Sequence, residues 1–237
     1  MQKLWPMKQR RKEAGAVIIT IDGPAGAGKS TVGKMLARRL HYLYLDTGAM
    51  YRAVALRAKE EKIGPEDEAA LERLCRNLDI SFAEDGEAQR VICQGEDVTE
   101  KIREPGIGWM ASTVSMKRPV RQAMVRLQRQ IGAKGRIVAE GRDTGTMVFP
   151  RAEYKFFLNA QPGERARRRH RELTSKGLSV DITEVEKEMK ERDDQDSFRE
   201  LAPLHPAADA QFLDSTELTP EDVVEQMLKF VQRGGKN

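Results

Sequence analysis

A glycine-rich segment near the amino terminus has the residue types and spacing of a phosphate-binding loop. The run Gly23-Pro-Ala-Gly-Ala-Gly-Lys-Ser30 matches the pattern G-x-x-x-x-G-K-[ST] in full. Unpaired backbone N–H groups in such a loop and at the start of the following helix attract phosphate oxygens. We expect Lys29 to reach the β- and γ-phosphates of a nucleoside triphosphate and the Ser30 hydroxyl to bind Mg²⁺. The predicted triphosphate-binding residues are Gly23, Pro24, Ala25, Gly26, Ala27, Gly28, Lys29, Ser30 and Thr31.

The segments on either side of this loop have the pattern of a βαβ unit. Residues 16–21 form a short apolar and β-branched run, which predicts a buried parallel strand leading into the loop. Apolar residues then recur at helical spacing at Val32, Met35, Leu36 and Leu40, and residues 43–45 predict a second strand. This context argues against an incidental glycine turn.

The rest of the chain alternates between helical and strand-like patterns around a smaller β-rich region. Helices are predicted at 51–62, 66–78 and 220–231, with helical spacing also at 124–131. Two further helices, at 163–174 and 182–192, are predicted to be charged and to lack a broad apolar face. Strands are predicted at 136–139, 154–158 and 210–213, and a small antiparallel meander at 80–83, 89–94 and 97–98. We therefore predict an α/β fold with a parallel sheet and one inserted lobe.

Composition limits the class of protein. The chain has 237 residues, of which 39% are hydrophobic and 33% charged, so it can bury the core of one globular domain with an insertion. Its longest apolar run, 16–21, is far shorter than the ~20 residues of a membrane-spanning helix, which excludes a membrane protein. Cys75 and Cys93 have neither metal-ligand spacing nor a disulfide framework, so we expect a cytoplasmic protein.

The net charge of +4 is concentrated at the amino terminus. Residues 1–13 hold five basic side chains and one acidic side chain, so the remainder of the chain is neutral. We predict that residues 1–15 are a disordered basic tail, because they contain no functional motif and lack the apolar stretch of a secretory signal. We accordingly expect neither a nucleic acid nor a membrane as partner.

A phosphate-binding loop alone is compatible with GTPases, motor or transporter ATPases and small-molecule kinases. The chain has no Asn-Lys-x-Asp run for guanine and no Leu-Ser-Gly-Gly segment of transporter ATPases. It has instead a set of arginines at positions suited to ligands, namely Arg52, Arg142, Arg192, Arg199 and the arginine-rich segment 165–171. Phosphoryl transfer brings two anionic substrates together, and guanidinium groups relieve their repulsion. The arginines therefore favour a kinase.

A structural explanation of these arginines is the alternative. In segment 165–171 the arginines could form ion pairs with Glu164 and Glu172 on an exposed helix surface. For Arg52 and Arg142 the functional explanation is stronger, because both follow predicted strands, where open α/β sheets bind their ligands.

Several sequence runs together resemble those of bacterial cytidylate kinases over residues 17–231. They are Ile21-Asp-Gly-Pro-Ala-Gly-Ala-Gly-Lys-Ser-Thr31, Leu45-Asp-Thr-Gly-Ala-Met-Tyr-Arg52, Glu140-Gly-Arg-Asp-Thr-Gly-Thr146, Val148-Phe-Pro150 and Glu191-Arg-Asp-Asp-Gln-Asp-Ser-Phe-Arg199. The resemblance implies a three-layer α/β/α P-loop domain at 16–237 with a five-stranded parallel sheet, an inserted monophosphate-binding lobe at about 64–118 and a short lid at about 160–176. The implied reaction transfers the γ-phosphoryl group of ATP to CMP or dCMP, with Mg²⁺ as cofactor, in a monomer.

The same resemblance implies which residues bind the phosphates. Thr47 and Arg52 would contact the CMP phosphate, joined by Arg142 and Arg199. Lys29, Arg142 and Arg192 would be the catalytic residues, and Arg165 and Arg168 would belong to the lid.

It also implies how the nucleoside is recognised. Ser112, Arg121 and Asp143 are similar to the family's cytosine-binding set, and Arg192 and Asp196 would hold the sugar hydroxyls. Asp143 can accept a hydrogen bond from the exocyclic amine that cytosine has and uracil lacks, which would favour CMP over UMP.

Alternatives remain at this stage. Another P-loop kinase, for shikimate or for a different nucleotide, would share the loop and the arginines but not the base-binding set. A non-catalytic regulator that binds nucleotide, with its basic tail on nucleic acid, would bind ATP without phosphorylating a small acceptor.

Overall fold

The computed structural model describes residues 17–85, 88–104 and 106–234. The whole of the predicted basic tail at 1–15 therefore lies outside the described residues. The central sheet contains five parallel strands in the order β2-β6-β1-β7-β8. These strands are β1 (Ile18–Asp22), β2 (Leu43–Asp46), β6 (Ile137–Gly141), β7 (Tyr154–Asn159) and β8 (Gln211–Asp214). The parallel five-stranded sheet confirms the predicted fold class.

Helices cover both faces of this sheet and form the outer two layers. They are α1 (Lys29–Leu40), α2 (Thr47–Glu60), α3 (Glu68–Arg76), α4 (Ile107–Ser115), α5 (Arg118–Gly132), α6 (Pro162–Ser175), α7 (Ile182–Phe198) and α8 (Pro220–Gln232). Successive side chains of β6 point to opposite faces, so Ile137 and Ala139 pack with α2 and α5, whereas Val138 packs with α1 and α8. Every residue of β6 is buried, as expected of an interior parallel strand.

A second, smaller sheet follows α3. It is antiparallel, in the order β3-β4-β5, and its strands are β3 (Ile80–Asp85), β4 (Ala88–Cys93) and β5 (Glu96–Asp97). The meander predicted from the sequence is thereby confirmed. Val91 and Cys93 of β4 are buried in the same apolar cluster as α2, so this sheet is packed onto the main body.

Two short elements were not predicted from the sequence. Helix α4 is apolar on several sides and so lacks the one-sided pattern of a surface helix. Its N-cap is Gly106, which has a φ of 83°. The turn Thr144–Val148 is π-helical, and it begins directly after Asp143.

Helices α6 and α7 pack against each other over a small apolar contact. Ala166, Val185 and Met189 form its buried centre. The remaining surface of both helices is largely charged, which agrees with the absence of a broad apolar face in their sequences. None of the helices described in the structure is long and apolar enough to cross a membrane.

Candidate active site

The glycine-rich loop lies between the carboxyl end of β1 and the start of α1. A Cβ atom on Gly23 would lie 1.9 Å from the carbonyl oxygen of Leu158, so the loop approaches β7 too closely for any side chain there. The Lys29 ammonium donates to the carbonyl of Pro24 at 2.6 Å and is buried within the loop. Burial, together with the positive charge of Arg142, lowers the pKa of Lys29 to about 7. An anion in the loop would restore its charge.

A buried carboxylate faces the first turn of α1. Glu140, at the carboxyl end of β6, accepts hydrogen bonds on Oε1 from the Ser30 hydroxyl at 2.6 Å and from the Tyr44 hydroxyl at 2.5 Å. Its other oxygen, Oε2, is buried and has no hydrogen-bond partner among the described residues. Burial, with the nearby charge of Asp46, raises the pKa of Glu140. The carboxylate therefore has one oxygen free for a cation or a donor.

A second buried carboxylate holds the chain just after β6. Asp22 accepts from the backbone N–H of Thr144 at 2.8 Å, from the hydroxyl of the same residue at 2.7 Å and from the N–H of Gly145 at 2.7 Å. These bonds fix the start of the π-helical turn against the end of β1. Arg142 and Asp143, which precede that turn, are held at the same edge of the sheet.

The start of α2 lies beside the loop at this edge. The Thr47 hydroxyl donates to the carbonyl of Glu140 at 2.6 Å. Asp46 caps the helix by accepting from the N–H of Ala49 at 2.8 Å, and its carboxylate also accepts from Arg52 at 3.0 Å. Arg52 lies on the second turn of α2, which follows β2 directly and begins four residues before the predicted helix 51–62. Its Nε is buried and has no hydrogen-bond partner among the described residues.

Arginines and carboxylates from α5, α7 and the end of β6 form a continuous cluster. Arg142 donates to Asp196 at 2.8 Å, and the same carboxylate lies 3.5 Å from Arg199. Arg199 lies 3.7 Å from Asp143, and Asp143 in turn accepts from Arg121. Arg192 lies close enough to feel the charges of Arg142 and Asp196. The cluster therefore brings together six predicted acceptor-site residues, which are Arg121, Arg142, Asp143, Arg192, Asp196 and Arg199.

Arg192 differs from the other arginines of the cluster. It forms no hydrogen bond or salt bridge within the described part of the chain, and its buried Nε lacks a partner. Burial and the charge of Arg142 lower its pKa to about 10. The Arg192 side chain is partly buried, and such a guanidinium without a bound carboxylate is costly unless an anion binds to it. The local excess of positive charge therefore points to an anionic ligand.

Polar side chains of α4 and α7 lie next to this cluster. Ser112 donates to the side-chain oxygen of Gln195 at 2.7 Å, while the amide of Gln195 lies 3.5 Å from the sulfur of Met116. The guanidinium of Arg121 lies 5.8 Å from the centre of the Tyr51 ring. Ser112 is therefore linked to the cluster by its hydrogen bond to Gln195 of α7, and its hydroxyl does not bond Arg121 or Asp143.

Helix α6 contributes two arginines of different placement. Arg165 donates to the carbonyl of Ala25 at 3.1 Å and to Asp193 at 2.5 Å, so it joins the glycine loop to α7. Arg168 donates to the carbonyl of Ser215 at 2.5 Å and to its hydroxyl at 3.0 Å. The arginine-rich helix therefore packs on the loop, although several of its other arginines form the local ion pairs of the structural alternative.

The sequence analysis did not identify several residues that shape the site. Asp22, Glu140 and Tyr44 are buried in β1, β6 and β2, and Gln195 and Asp193 are on α7. The available signal was position, because Asp22 and Glu140 are acidic residues that end otherwise apolar strands.

Comparisons with known proteins agree with this geometry. The sequence profile of the family described as cytidylate kinase matches residues 19–233. The chain is 54% identical over 216 residues to the cytidylate kinase of Geobacter sp. (strain M21), covering 91% of this chain and 93% of that protein. It is also 54% identical over 216 residues to the cytidylate kinase of Citrifermentans bemidjiense, with the same coverage.

One solved structure supports the fold alone. The crystal structure of an uncharacterized protein from Eubacterium ventriosum superposes with a TM-score of 0.52 at 11% sequence identity. The superposition covers 91% of this chain and 98% of that chain.

Proposed function

The chain belongs to the cytidylate kinase family and transfers the γ-phosphoryl group of ATP to CMP or dCMP, and from that premise we propose how its residues divide the work. The alternatives of a shikimate-type kinase and of a non-catalytic regulator are set aside by the same relatives. The observation that carries the proposal is the buried cluster of arginines around Arg142 and Arg192, which contains a guanidinium without a salt-bridge partner in the described structure.

The triphosphate occupies the glycine loop in this proposal. Residues 23–31 surround the phosphates, and all of them except Pro24 can offer a backbone N–H group, as at other helix amino termini. The Lys29 ammonium exchanges its bond to Pro24 for the β- and γ-phosphate oxygens. Because burial lowers the pKa of Lys29 to about 7, the phosphates stabilise its protonated form.

Magnesium is the expected cofactor, and the residues beside the loop fit it. The Ser30 hydroxyl lies 2.6 Å from Glu140, and the second carboxylate oxygen is buried without a partner. One hydroxyl and one carboxylate, completed by phosphates and water, form a donor set that Mg²⁺ favours. We assign Ser30 and Glu140 to the Mg²⁺ site. When bound, Mg²⁺ would neutralise charge on the β- and γ-phosphates.

The acceptor phosphate binds between α2 and α7 in this proposal. Thr47, Arg52, Arg142 and Arg199 contact it, and Arg142 and Arg192 then stabilise the charge of the transferred group. Asp196 orients Arg142 through the 2.8 Å bond and, with Arg192, contacts the sugar hydroxyls.

Recognition of cytosine is assigned to Ser112 of α4, Arg121 of α5 and Asp143 after β6. Asp143, held by Arg121 and Arg199, accepts from the exocyclic amine of the base. Ser112 and Arg121 donate to its ring acceptors. Uracil has a carbonyl oxygen in place of this amine, so the hydrogen bond is lost and two oxygens face each other, which disfavours UMP.

The remaining assignments follow the same premise. We propose that residues 64–118 form the monophosphate-binding lobe and that residues 160–176, with Arg165 and Arg168, form a lid over the phosphates. We further propose that the enzyme acts as a monomer in the cytoplasm and requires neither nucleic acid nor membrane.

The conservative variants Arg192→Lys and Arg142→Lys test this division of roles. Each keeps the charge but loses the planar fork, so we expect kcat to fall about 10²- to 10³-fold with an unchanged unfolding midpoint. Arg39→Lys is the matched control, because Arg39 forms an exposed ion pair with Glu225 and has no role in the proposed site. A kcat within about twofold of wild type for both variants would contradict the catalytic assignment.

A further inference from the structure

Tyr44 has no role in the mechanism above, yet its hydroxyl lies at the centre of the loop region. It is a buried residue of strand β2, and its hydroxyl donates to Oε1 of Glu140 at 2.5 Å.

The donors on Glu140 are distributed unequally between its two oxygens. Oε1 accepts from both Tyr44 and Ser30, whereas Oε2 is buried and has no partner within the described residues. A carboxylate held by two donors on one oxygen cannot rotate without losing both bonds. The arrangement fixes the free oxygen and directs the Ser30 proton toward Glu140, which leaves the lone pairs of the serine oxygen available.

A glycine in α1 makes room for the tyrosine ring. A Cβ atom on Gly33 would lie 2.9 Å from Cε2 of Tyr44, so any side chain at position 33 would displace the ring. On the other side, the carbonyl of Tyr44 accepts from the Gln89 amide at 2.7 Å. The ring is therefore held between helix α1 and its own strand.

We propose that Tyr44, seated on Gly33, is a positioning residue that orients Glu140 and Ser30 to receive the metal–triphosphate complex. The proposal rests on the assignment of Ser30 and Glu140 to Mg²⁺ under the proposed function. It adds Tyr44 to Ser30 and Glu140 at the proposed Mg²⁺ site, and it assigns Gly33 the role of making room for the tyrosine ring. The Tyr44 hydroxyl donates to the Glu140 carboxylate and to none of the proposed acceptor-site residues in the described structure, so we expect it to act on ATP and not on CMP.

The variant Tyr44→Phe tests the proposal, because it removes only the hydroxyl. Isothermal titration calorimetry would measure the Kd for Mn²⁺·ATP and, in EDTA, for metal-free ATP. We expect the affinity for Mn²⁺·ATP to fall about 10-fold, with metal-free ATP and the KM for CMP unchanged. A purely structural role would weaken both forms of ATP equally and would overturn the proposal, as would wild-type affinity for Mn²⁺·ATP.

Tyr42→Phe is the matched control on the same segment. The Tyr42 ring lies 5.7 Å from the Arg136 guanidinium, away from Glu140. This variant should bind both forms of ATP like wild type. Ser30→Ala separates the two hypotheses: if it leaves the Mn²⁺·ATP affinity unchanged, the metal assignment fails. If Ser30→Ala loses that affinity and Tyr44→Phe does not, only the role of Tyr44 fails.

A second variant reaches the same hydroxyl from the helix. Gly33→Ala favours the helix more than glycine does but forces the ring to move. We expect a loss of Mn²⁺·ATP affinity of the same order as in Tyr44→Phe, without loss of thermal stability. The double variant should bind no more weakly than the weaker single variant, because both act through one contact. Additive losses, or wild-type binding by Gly33→Ala, would overturn the coupling between Gly33 and Tyr44.

Discussion

At the scale of single residues, the site is a set of buried charges that balance incompletely until an anion binds. Asp196 shows this balance most clearly. Burial alone would raise its pKa, but Arg142, Arg199 and Arg192 outweigh burial and lower the pKa below 3.8. Asp196 therefore stabilises the folded protein wherever it is ionised in both states.

The stability of the nucleotide-free protein should depend on pH through Asp196. Its contribution is present above the unfolded pKa of about 3.8 and is lost as the pH falls through the lower folded value. Urea unfolding between pH 5 and pH 2 should show a steeper loss of unfolding free energy for wild type than for Asp196→Asn. Equal slopes for the two proteins would show that Asp196 is not held by the arginines.

Residue identities were predictable from the sequence where a motif carried them, and not where a contact did. Lys29, Arg142 and Asp143 belong to recognisable runs, and the structure places them at one edge of the sheet. Tyr44 was indistinguishable from a core residue, because its single polar contact joins β2 to Glu140 on β6, which is 96 positions away in the chain. The sequence likewise could not indicate that Asp143 pairs with Arg121 and Arg199 instead of its neighbour Arg142.

At the scale of elements, the glycine loop is held between β1, α1, α6 and α7. Gly26 has a φ of 73°, and a Cβ atom there would lie 2.8 Å from Cε of Met189 and 2.9 Å from the carbonyl oxygen of Arg165. Only glycine satisfies both the conformation and the close approach of α6 and α7.

Gly26→Ala should consequently weaken ATP binding more than it weakens the fold. The added methyl group pushes α6 and α7 away from the loop and strains the left-handed backbone, so we expect the Kd for ATP to rise at least about 10-fold. Gly163→Ala is a suitable comparison, since its Cβ atom would meet only the end of the Arg167 side chain at 3.9 Å. Calorimetric titration with ATP would refute the prediction if the two variants bound alike.

If α6 is the lid that we propose, it should respond to occupancy of both nucleotide sites. Arg165 and Arg168 already join α6 to the loop and to Ser215, so further closure would exclude water from the phosphates. Amide hydrogen exchange across residues 160–176 should slow when an analogue that joins both nucleotides binds, while α8 stays unchanged. Unaltered exchange in 160–176 at saturating analogue would reject the lid.

The order of elements was predictable, but not all of their boundaries or types. Short apolar or β-rich runs located the strands of both sheets, and helical spacing located most helices. Helix α4 was not predicted from the sequence. Its buried residues Ile107, Ala111 and Val114 have helical spacing, but the exposed Trp109 places a further apolar residue outside that stripe and obscures it. The π-helical turn depends on hydrogen bonds to Asp22, which is 122 residues away along the chain.

At the scale of the whole molecule, catalysis depends on the domain that begins with β1. Deleting residues 1–13 should leave kcat and the KM for CMP within about twofold of wild type, because the family match begins at residue 19. The deletion also removes the whole net charge of the chain, so binding to a heparin column should weaken. Steady-state kinetics of the truncated protein would contradict this account if turnover of CMP fell substantially.

The central claim is that the site around Asp143 recognises cytosine on a monophosphate acceptor. The most direct measurement is the initial rate of ADP formation with ATP, Mg²⁺ and separately CMP, dCMP, UMP, AMP and shikimate, for wild type and Asp143→Asn. Wild type should turn over CMP and dCMP far faster than the other acceptors, and Asp143→Asn should narrow the kcat/KM ratio of CMP to UMP by about 10²-fold. An unchanged ratio in the variant, or faster turnover of AMP or shikimate by wild type, would contradict it.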